Sequence, residues 1–445
     1  MNSDIKYLQV IFLGTVIVLF FQENVGLDQV GAQKEIYEPD YSVYHNLTSI
    51  VSDLTEIINK YRNFIIASHE FKSKNGHTQF LIRLSNFTRE RTKVKILLAY
   101  GEHAREFFPI ESMFYFLKNL TKGLDKPFEG RPSNTFSSWV VNNFDLYIIA
   151  ITNPDGRSYI ERTKNYCWRG TGAGIDLNRN FDWNYGGIGS SKYRGDEEYR
   201  GPKAFSEPET LVFRRLAASV SFDAFLSFHS GIRHIYIPFS DTKSKQQHRL
   251  PKNNDDMFKL AKQMSNSSTL RPFKYGLVYQ MIDYTADGTS IDYMAGVAEV
   301  PFSLAIEMWE HEHHTGRSCF DEFNPKSEHL QDEVALVHPL YVELLSYLFT
   351  WKKKKLMTVS SLLRVKKDDR TLNQSDHHDV LYSSHPSSEV MYSASFESLV
   401  VCIFFSLVAV VCVVLGARQI CQLMRKKRII SLKSLSSTFS LYKSL

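Results

Sequence analysis

Residues 94–106 have the sequence VKILLAYGEHARE, in which an apolar run leads to a histidine and a glutamate three positions apart. A second apolar run, Ala224 to Phe228, leads directly to His229. Short runs of this kind are typical of interior strands, and α/β folds place functional residues where such strands end. We therefore expect His103, Glu106 and His229 to lie together at one edge of a buried sheet.

Two histidines and one carboxylate are the protein ligands of a common type of catalytic zinc site, whose fourth position stays open. His103, Glu106 and His229 are accordingly the candidate ligands of one zinc ion per chain. These residues alone leave an alternative open, because a His-x-x-Glu pair also occurs by chance in proteins that bind no metal.

Further motifs occur in an order that resembles the zinc carboxypeptidases, the family of pancreatic carboxypeptidase A. The motifs are Asn153-Pro-Asp-Gly156, Cys167-Trp-Arg169, Gly174 to Asp182, Tyr284, Ser290-Ile-Asp292 and Ile306-Glu307. The resemblance covers residues 41–350 and implies a single α/β catalytic domain. Helices and strands alternate along this segment, which favours a central mixed, partly parallel sheet flanked by helices.

The resemblance implies a role for each matching residue. Glu307 corresponds to the general base, and Arg169 to the cation that stabilises the oxyanion of the transition state. Substrate contacts are implied for Arg105, Asn178, Arg179, Tyr284 and Ile291. Taken alone, Glu307 also fits an ion-paired structural glutamate at the end of an apolar strand.

The implied function is hydrolysis of the C-terminal peptide bond of peptides or proteins. Ile291 matches the base of the pocket for the terminal side chain, so an apolar residue there implies release of a hydrophobic or aromatic residue. Gly231 stands where the pancreatic enzymes carry a tyrosine, which implies the loss of an aromatic wall. One alternative is a receptor-like pseudoenzyme that binds peptides but is catalytically weak or inactive. A second, narrower alternative is the removal of acidic C-terminal residues, which would require a basic residue in the pocket instead of Ile291.

Apolar periodicity predicts the local structure around these motifs. We expect helices over 47–64, 109–120 and 206–220, the last beginning with a Ser206-x-x-Glu209 capping box. Strands are expected over 78–84, 94–100 and 145–152. The Gly- and Asn-rich segment 170–201 predicts a loop.

Two apolar segments predict the compartment. Val10 to Phe21 is uncharged and short, which fits a signal peptide over 1–26, although an uncleaved anchor or a buried helix remains open. Residues 399–417 carry no charge and are long enough to cross a bilayer. A polar stalk over 351–398 would precede this transmembrane helix, and a basic cytosolic tail over 418–445 would follow it. The positive-inside rule then predicts a single-pass type I protein whose catalytic domain is extracellular or lumenal.

The net charge of +5 does not indicate a nucleic-acid partner. Seven cations and no acid follow the proposed transmembrane helix, so the rest of the chain has a net charge of −2. The expected partners are peptide C-termini and the membrane, with no nucleic acid, and the protein is expected to be a monomer. We expect this chain to lack the activation propeptide of the pancreatic enzymes and the extra C-terminal β-domain of the family's regulatory branch.

Two covalent features are predicted for the outer domain. Cys167 and Cys319 are the two cysteines that precede the proposed membrane segment, and an oxidising compartment predicts a disulfide between them. Sequons, which also occur by chance, predict glycosylation at Asn46, Asn86, Asn119, Asn266 and Asn373.

Overall fold

The computed structural model describes residues 38–88, 92–124, 135–268, 270–311 and 318–375, with side chains described as far as residue 358. The chain divides into two units, Met1–Ser360 and Ser361–Leu445, and the fold reported below belongs to the first. The predicted signal peptide, the transmembrane helix over 399–417 and the tail over 418–445 lie outside the described residues, as does the stalk beyond residue 375.

The described chain contains one mixed sheet of eight strands: β1 Ile65–Ser68, β2 Leu81–Leu84, β3 Val94–Tyr100, β4 Phe144–Ile149, β5 Ala224–His229, β6 Arg233–Ile237, β7 Lys274–Leu277 and β8 Phe302–Met308. The spatial order is β1-β2-β4-β3-β5-β8-β6-β7. The four central strands β4, β3, β5 and β8 are parallel, and β2 and β6 flank them antiparallel. The predicted mixed α/β fold is confirmed.

Apolar residues on both faces of β3 explain why the strand is buried on two sides. Ile96, Leu98 and Tyr100 belong to one core cluster, and Leu97 and Ala99 belong to a second cluster. Successive side chains of a strand point to opposite faces, so a continuous apolar run requires a cover on each face. Helices on both sides of the sheet provide that cover.

The helices of the described chain are α1 Leu47–Lys60, α2 Phe108–Lys122, α3 Phe136–Asn143, α4 Pro154–Thr163, α5 Pro208–Ser219, α6 Thr242–Gln247, α7 Asn254–Ser267, α8 Val278–Met281, α9 Ser290–Gly296, α10 Cys319–Phe323, α11 Leu330–Val337 and α12 Pro339–Ser375. The three predicted helices are confirmed as α1, α2 and α5, with ends that differ by at most four residues. The predicted strands are confirmed as β2, β3 and β4. Segment 170–201 is a loop apart from one short 3-10 turn, Leu177–Arg179.

The predicted capping box at the start of α5 is wrong. The N-cap residue is Glu207, and no side chain caps the helix. Proline is favoured at the first position of a helix, so Pro208 places the N-cap one residue later than the capping box requires. The hydroxyl of Ser206 instead donates to the Glu207 carboxylate over 2.9 Å.

Helix α12 continues through residue 350, where the predicted stalk would begin. The Trp351 ring lies 5.0 Å from that of Phe302, and Lys352 forms an ion pair of 2.6 Å with Asp223. Among the described residues, the helical stretch Cys319–Thr358 is apolar and long enough to cross a membrane by composition and length. Its leucines at 340, 344 and 348 are buried in the core cluster of the sheet, which indicates a core helix.

The parallel arrangement of β3, β5 and β8 brings the segments that follow these strands to the same edge of the sheet. Immediately after β3, Gly101 has a φ of 66°, a left-handed conformation that favours glycine. The chain therefore turns sharply there and carries residues 102–106 over the edge of the sheet.

Candidate active site

Two histidines and a glutamate converge where β3 and β5 end. Glu106 Oε1 lies 2.6 Å from Nδ1 of His103, and Glu106 Oε2 lies 2.9 Å from Nδ1 of His229. All three residues are buried, and their candidate ligand atoms lie within 4.8 Å of one another. This donor set fits zinc, so the structure brings the three predicted ligands together in a site able to hold the ion.

Further buried side chains contact the other nitrogen of each imidazole. Ser227 Oγ lies 2.7 Å and Glu102 Oε2 lies 3.5 Å from Nε2 of His229. Asp176 Oδ1 lies 3.3 Å from Nε2 of His103. Partners of this kind fix the tautomer and the ring orientation of metal-binding histidines, so both imidazoles are held with Nδ1 directed to the metal position.

None of these three partners was predicted from the sequence to have a role in the site. Glu102 is the neighbour of His103, and Asp176 lies inside the motif from Gly174 to Asp182, so only their proximity to motifs could have indicated them. Ser227 lies two positions before His229 and therefore on the same face of β5. The alternation of side chains along the strand was the only sequence pattern that could have indicated Ser227.

Glu307 lies beside the metal site because of strand register. The parallel pairing of β5 with β8 places Glu307 opposite His229, and paired residues share one face of a sheet. Burial raises the pKa of Glu307 to about 7, although the neighbouring His229 opposes this shift. A carboxylate with a pKa near neutrality is suited to accepting and returning a proton.

Arg169 and the metal site are connected through one carboxylate. Arg169 Nε donates a hydrogen bond of 2.8 Å to Asp176 Oδ2, while Asp176 Oδ1 faces His103. Burial alone would lower the pKa of the Arg169 guanidinium, but Asp176 raises it overall, so the cation is maintained. Asp176 therefore positions both a metal ligand and the predicted oxyanion-binding arginine.

Asn178 and Arg179 lie on the short 3-10 turn that follows Asp176. The buried Arg179 guanidinium donates from Nε to the carbonyl of Gly189 and from Nη1 to the carbonyl of Asn178, each over 3.0 Å. Asn178 Oδ1 accepts a hydrogen bond of 2.9 Å from the backbone of Ser290. Hydrogen bonds to backbone groups therefore hold both side chains in place.

Two glutamates of the loop before α5 contact predicted substrate-binding arginines. Arg105 donates from Nη1 and Nη2 to the carboxylate of Glu197 over 3.0 and 3.1 Å. Glu198 Oε1 lies 3.5 Å from Nη2 of Arg179, a longer contact. Neither glutamate was predicted from the sequence to belong to the site.

An aromatic residue from a distant segment occupies the space beside Gly231. The φ of Gly231 is 136°, and a Cβ added there would lie 2.9 Å from the ring of Phe323. The Arg105 guanidinium lies 4.2 Å from the centre of the same ring. The Phe323 ring of α10 therefore forms an aromatic wall beside Gly231.

Tyr284 and Ile291 differ in their surroundings. The Tyr284 side chain is 60% exposed and lines a cavity of about 510 Å³ together with Glu198 and Lys245. Ile291 is buried in the apolar cluster that includes Tyr236, Met294 and Ala305. Tyr284 is therefore open to solvent at the rim of a cavity, whereas Ile291 is part of a packed apolar cluster.

Asp292, the neighbour of Ile291, faces a different environment. Its carboxylate accepts hydrogen bonds from the backbone and hydroxyl of Ser240 and from the backbone of Asp241, over 2.8 to 3.1 Å. Burial and Asp241 raise the pKa of Asp292 well above its usual value. This carboxyl is therefore occupied with internal donors.

The structure joins Cys167 and Cys319 by a disulfide, with a Cα–Cα distance of 5.0 Å. Among the sequons, Asn119 and Asn266 are exposed, Asn46 accepts the backbone N–H of Ser49 at the start of α1, and Asn86 donates to Asn142. The Asn373 side chain is outside the described part. Glycosylation at these positions stays a prediction.

Comparison with known proteins is consistent with this geometry. The sequence profile of the family described as zinc carboxypeptidase matches residues 50–335, well over half of the chain. The chain belongs to the zinc carboxypeptidase family. Members of this family are metallocarboxypeptidases, hydrolases that act on the C-termini of peptides.

Several relatives are similar over most of this region. Carboxypeptidase O of Homo sapiens is 27% identical over 283 residues, covering 60% of this chain and 71% of that protein. Zinc carboxypeptidase A 1 of Anopheles gambiae is 28% identical over 284 residues, covering 60% of each. The crystal structure of carboxypeptidase A from Helicoverpa armigera has a TM-score of 0.60 at 21% identity, covering 70% of this chain and 75% of that one, which supports the fold.

Proposed function

We propose that this chain is a zinc-dependent carboxypeptidase that hydrolyses the C-terminal peptide bond of peptides or proteins. The observation that carries the proposal is the register of β5 and β8, which places the Glu307 carboxylate beside His229 and the metal site. A general base must lie within reach of the water that attacks the carbonyl, and Glu307 occupies such a position.

The residues divide the chemistry between them. Zinc held by His103, Glu106 and His229 would supply Lewis-acid polarisation of the carbonyl and activation of water. Glu307 accepts the proton of the attacking water and returns it to the amine leaving group. Arg169, kept charged and in place by Asp176, donates to the developing oxyanion.

Recognition of a free C-terminus is assigned to Asn178 and Arg179. A guanidinium presents paired N–H donors that match a carboxylate, and the Arg179 side chain is already held by backbone carbonyls. An incoming carboxylate must displace Glu198 from its 3.5 Å contact. Tyr284, exposed at the rim of the adjoining cavity, is placed to cover the bound residue.

We further propose a preference for release of hydrophobic or aromatic residues. Ile291 is packed with Tyr236 and Ala305 in an apolar cluster, and the Asp292 carboxyl is already satisfied by Ser240. An apolar pocket rejects an unpaired charge strongly but distinguishes apolar side chains of similar size only weakly. Terminal Phe and Leu should therefore be released faster than terminal Lys or Glu.

We infer that the catalytic domain faces the lumen or the cell exterior as part of a type I membrane protein. The Cys167–Cys319 disulfide supports this inference, since structural disulfides persist in oxidising compartments. The uncharged segment 399–417 and the basic residues after it support the orientation. A peptide map of protein from cells, under conditions that trap thiols, would contradict the inference if both cysteines were free.

The function is tested with acylated dipeptides ending in Phe, Leu, Lys or Glu, and with a Phe peptide whose C-terminus is amidated. We expect chelator-sensitive release of Phe and Leu and no hydrolysis of the amidated peptide. Glu307→Gln should lower kcat by about 10²- to 10⁴-fold while the zinc content stays unchanged. Glu299→Gln makes the same chemical change at an exposed residue and serves as the matched control.

A different experimental result would contradict each part of the proposed function. If no peptide is hydrolysed in a chelator-sensitive manner, the enzyme assignment fails, and peptide binding without release would favour the pseudoenzyme alternative. Hydrolysis of the amidated peptide would remove the role of Asn178 and Arg179. Faster release of Lys than of Phe would overturn the assignment of the apolar pocket alone.

A further inference from the structure

Arg105 follows the metal ligand His103 by two positions, yet its charge is already matched by the protein. Its guanidinium forms a two-bond ion pair with Glu197 and donates to the carbonyl of Cys167 over 3.0 Å. Its flat face lies over the Phe323 ring. A guanidinium held on three sides is a fixed part of the site wall, so a substrate meets it together with its partner carboxylate.

The two members of this ion pair differ sharply in exposure. The Arg105 side chain is 11% exposed, whereas that of Glu197 is 60% exposed. Because the cation is covered and the anion is open, an approaching substrate meets the carboxylate. The Glu197–Arg105 pair therefore presents a negative surface even though its net charge is zero.

Glu197 also lies close to the reaction centre. Its partner Arg105 stands between the metal ligands His103 and Glu106 in the chain, and the Cys167 carbonyl that Arg105 contacts lies two residues before Arg169. The ion pair thus adjoins both the metal-binding loop and the segment that carries the predicted oxyanion-binding residue.

The proposed function sets the direction of the substrate past this ion pair. The terminal carboxylate is bound at Asn178 and Arg179, next to Glu198 rather than Glu197. The chain upstream of the cleaved bond continues away from Arg179 across the metal site. Arg105 lies on the metal-binding loop itself, so the upstream residues pass the carboxylate of Glu197.

We propose that Glu197 is a specificity-determining residue that favours Lys or Arg in the two positions upstream of the cleaved bond. This proposal rests on the proposed carboxypeptidase function and deepens it: the preferred substrate class is a peptide with a basic residue followed by a hydrophobic C-terminal residue. An acidic upstream residue is disfavoured by repulsion from the same carboxylate.

The test uses two series of acylated tripeptides, acyl-Xaa-Ala-Phe and acyl-Ala-Xaa-Phe, in which Xaa is Lys, Gln or Glu. We expect kcat/KM for Lys to exceed that for Glu by about five- to tenfold in at least one series, as attraction and repulsion at an exposed ion pair combine. Glu197→Gln should reduce this ratio to about one or below, because it uncovers the charge of Arg105. The ratio of the wild-type protein should also fall as salt is added.

Asp196→Asn is the matched control, because it removes one negative charge from the same loop. Asp196 contacts the hydroxyl of Ser191 rather than an arginine. This variant should keep most of the wild-type ratio. Zinc content and melting temperature are measured for each variant, and the Cys167 and Phe323 contacts are expected to hold Arg105 in place in Glu197→Gln.

Two results would overturn the proposal. The first is an unchanged ratio in Glu197→Gln, and the second is a wild-type ratio near one in both series while Phe is still released. Binding of the same peptides to zinc-loaded Glu307→Gln protein gives a second measurement of the ratio. If no peptide is hydrolysed, the carboxypeptidase function fails, and the binding ratio still determines whether Glu197 selects upstream charge.

Discussion

Asp176 is the residue on which the metal site and the oxyanion-binding cation both depend. Its carboxylate is fully buried and lies within 2.8 Å of Arg169 and 3.3 Å of His103. Burial alone would raise the pKa of Asp176, but the neighbouring Arg169 guanidinium holds it well below its usual value. Removal of one member of a buried charged network leaves the others uncompensated, which is strongly unfavourable.

We predict that Asp176→Asn weakens zinc binding by about 10- to 100-fold, the usual effect of losing a carboxylate that orients a metal-binding histidine. The substitution keeps the size of the side chain but removes the charge that fixes His103. Competition with a chromophoric chelator measures the affinity. Asp182→Asn, an exposed aspartate of the same segment, should bind zinc as the wild-type protein does. Equal zinc affinity in Asp176→Asn would show that His103 needs no carboxylate partner.

At the scale of a single element, the start of α5 contains a carboxyl group whose ionisation opposes folding. Glu209 lies in the first turn of this helix and is buried. One of its oxygens accepts the backbone N–H of Lys74 over 3.2 Å. Burial, assisted by the nearby carboxylates of Asp155 and Glu207, raises the pKa of Glu209 from 4.5 to about 7.

This shift predicts a pH dependence of stability. Between pH 4.5 and 7 the folded protein holds a proton on Glu209 that the unfolded chain has lost. The stability contribution is therefore complete below pH 4.5 and is lost as pH rises through about 7. Relative to Glu209→Gln, the free energy of unfolding of the wild-type protein should fall by about 3 kcal/mol across this range.

Urea unfolding of both proteins at a series of pH values measures this difference, because the comparison cancels the other titrating groups. Glutamine keeps the shape of the side chain and stays uncharged. A difference that does not vary between pH 4.5 and 8 would mean that Glu209 is solvated in the folded protein.

At the scale of the whole catalytic unit, one disulfide joins segments that are 152 positions apart. Cys167 lies two residues before Arg169, and Cys319 begins α10, which carries Phe323. The disulfide therefore connects the loop of the predicted oxyanion-binding residue to the helix that forms the aromatic wall. A cross-link across so many residues restricts the unfolded chain strongly.

We predict that the double variant Cys167→Ser, Cys319→Ser unfolds with a free energy lower by about 2–5 kcal/mol. Thermal unfolding of the folded variant and the wild-type protein measures the change as a lower melting temperature. Reduction of the wild-type protein should produce a similar decrease and should have no effect on the variant. Equal melting temperatures would indicate that the cross-link stabilises neither segment.

Much of the architecture was predictable because it depends on local patterns. The continuous apolar run of β3 predicted a strand with the same ends, 94–100, since a strand buried on both faces needs apolar residues at every position. The spacing of His103 and Glu106 is also a local pattern. It identified a ligand pair because both residues lie on one short loop. The start of α5 was misplaced because Ser206 and Glu209 matched a capping box, whereas Pro208 determined the helix start.

The sequence by itself therefore determined strands β2 to β5, helices α1, α2 and α5 and the candidate donor set for zinc, because these follow from local periodicity and residue chemistry. Only the tertiary structure decided which charges are matched. Arg105 pairs with Glu197 across 92 positions, and the Phe323 ring lies beside Gly231. Contacts of this range depend on how the sheet, loops and helices pack, and no spacing along the chain encodes them.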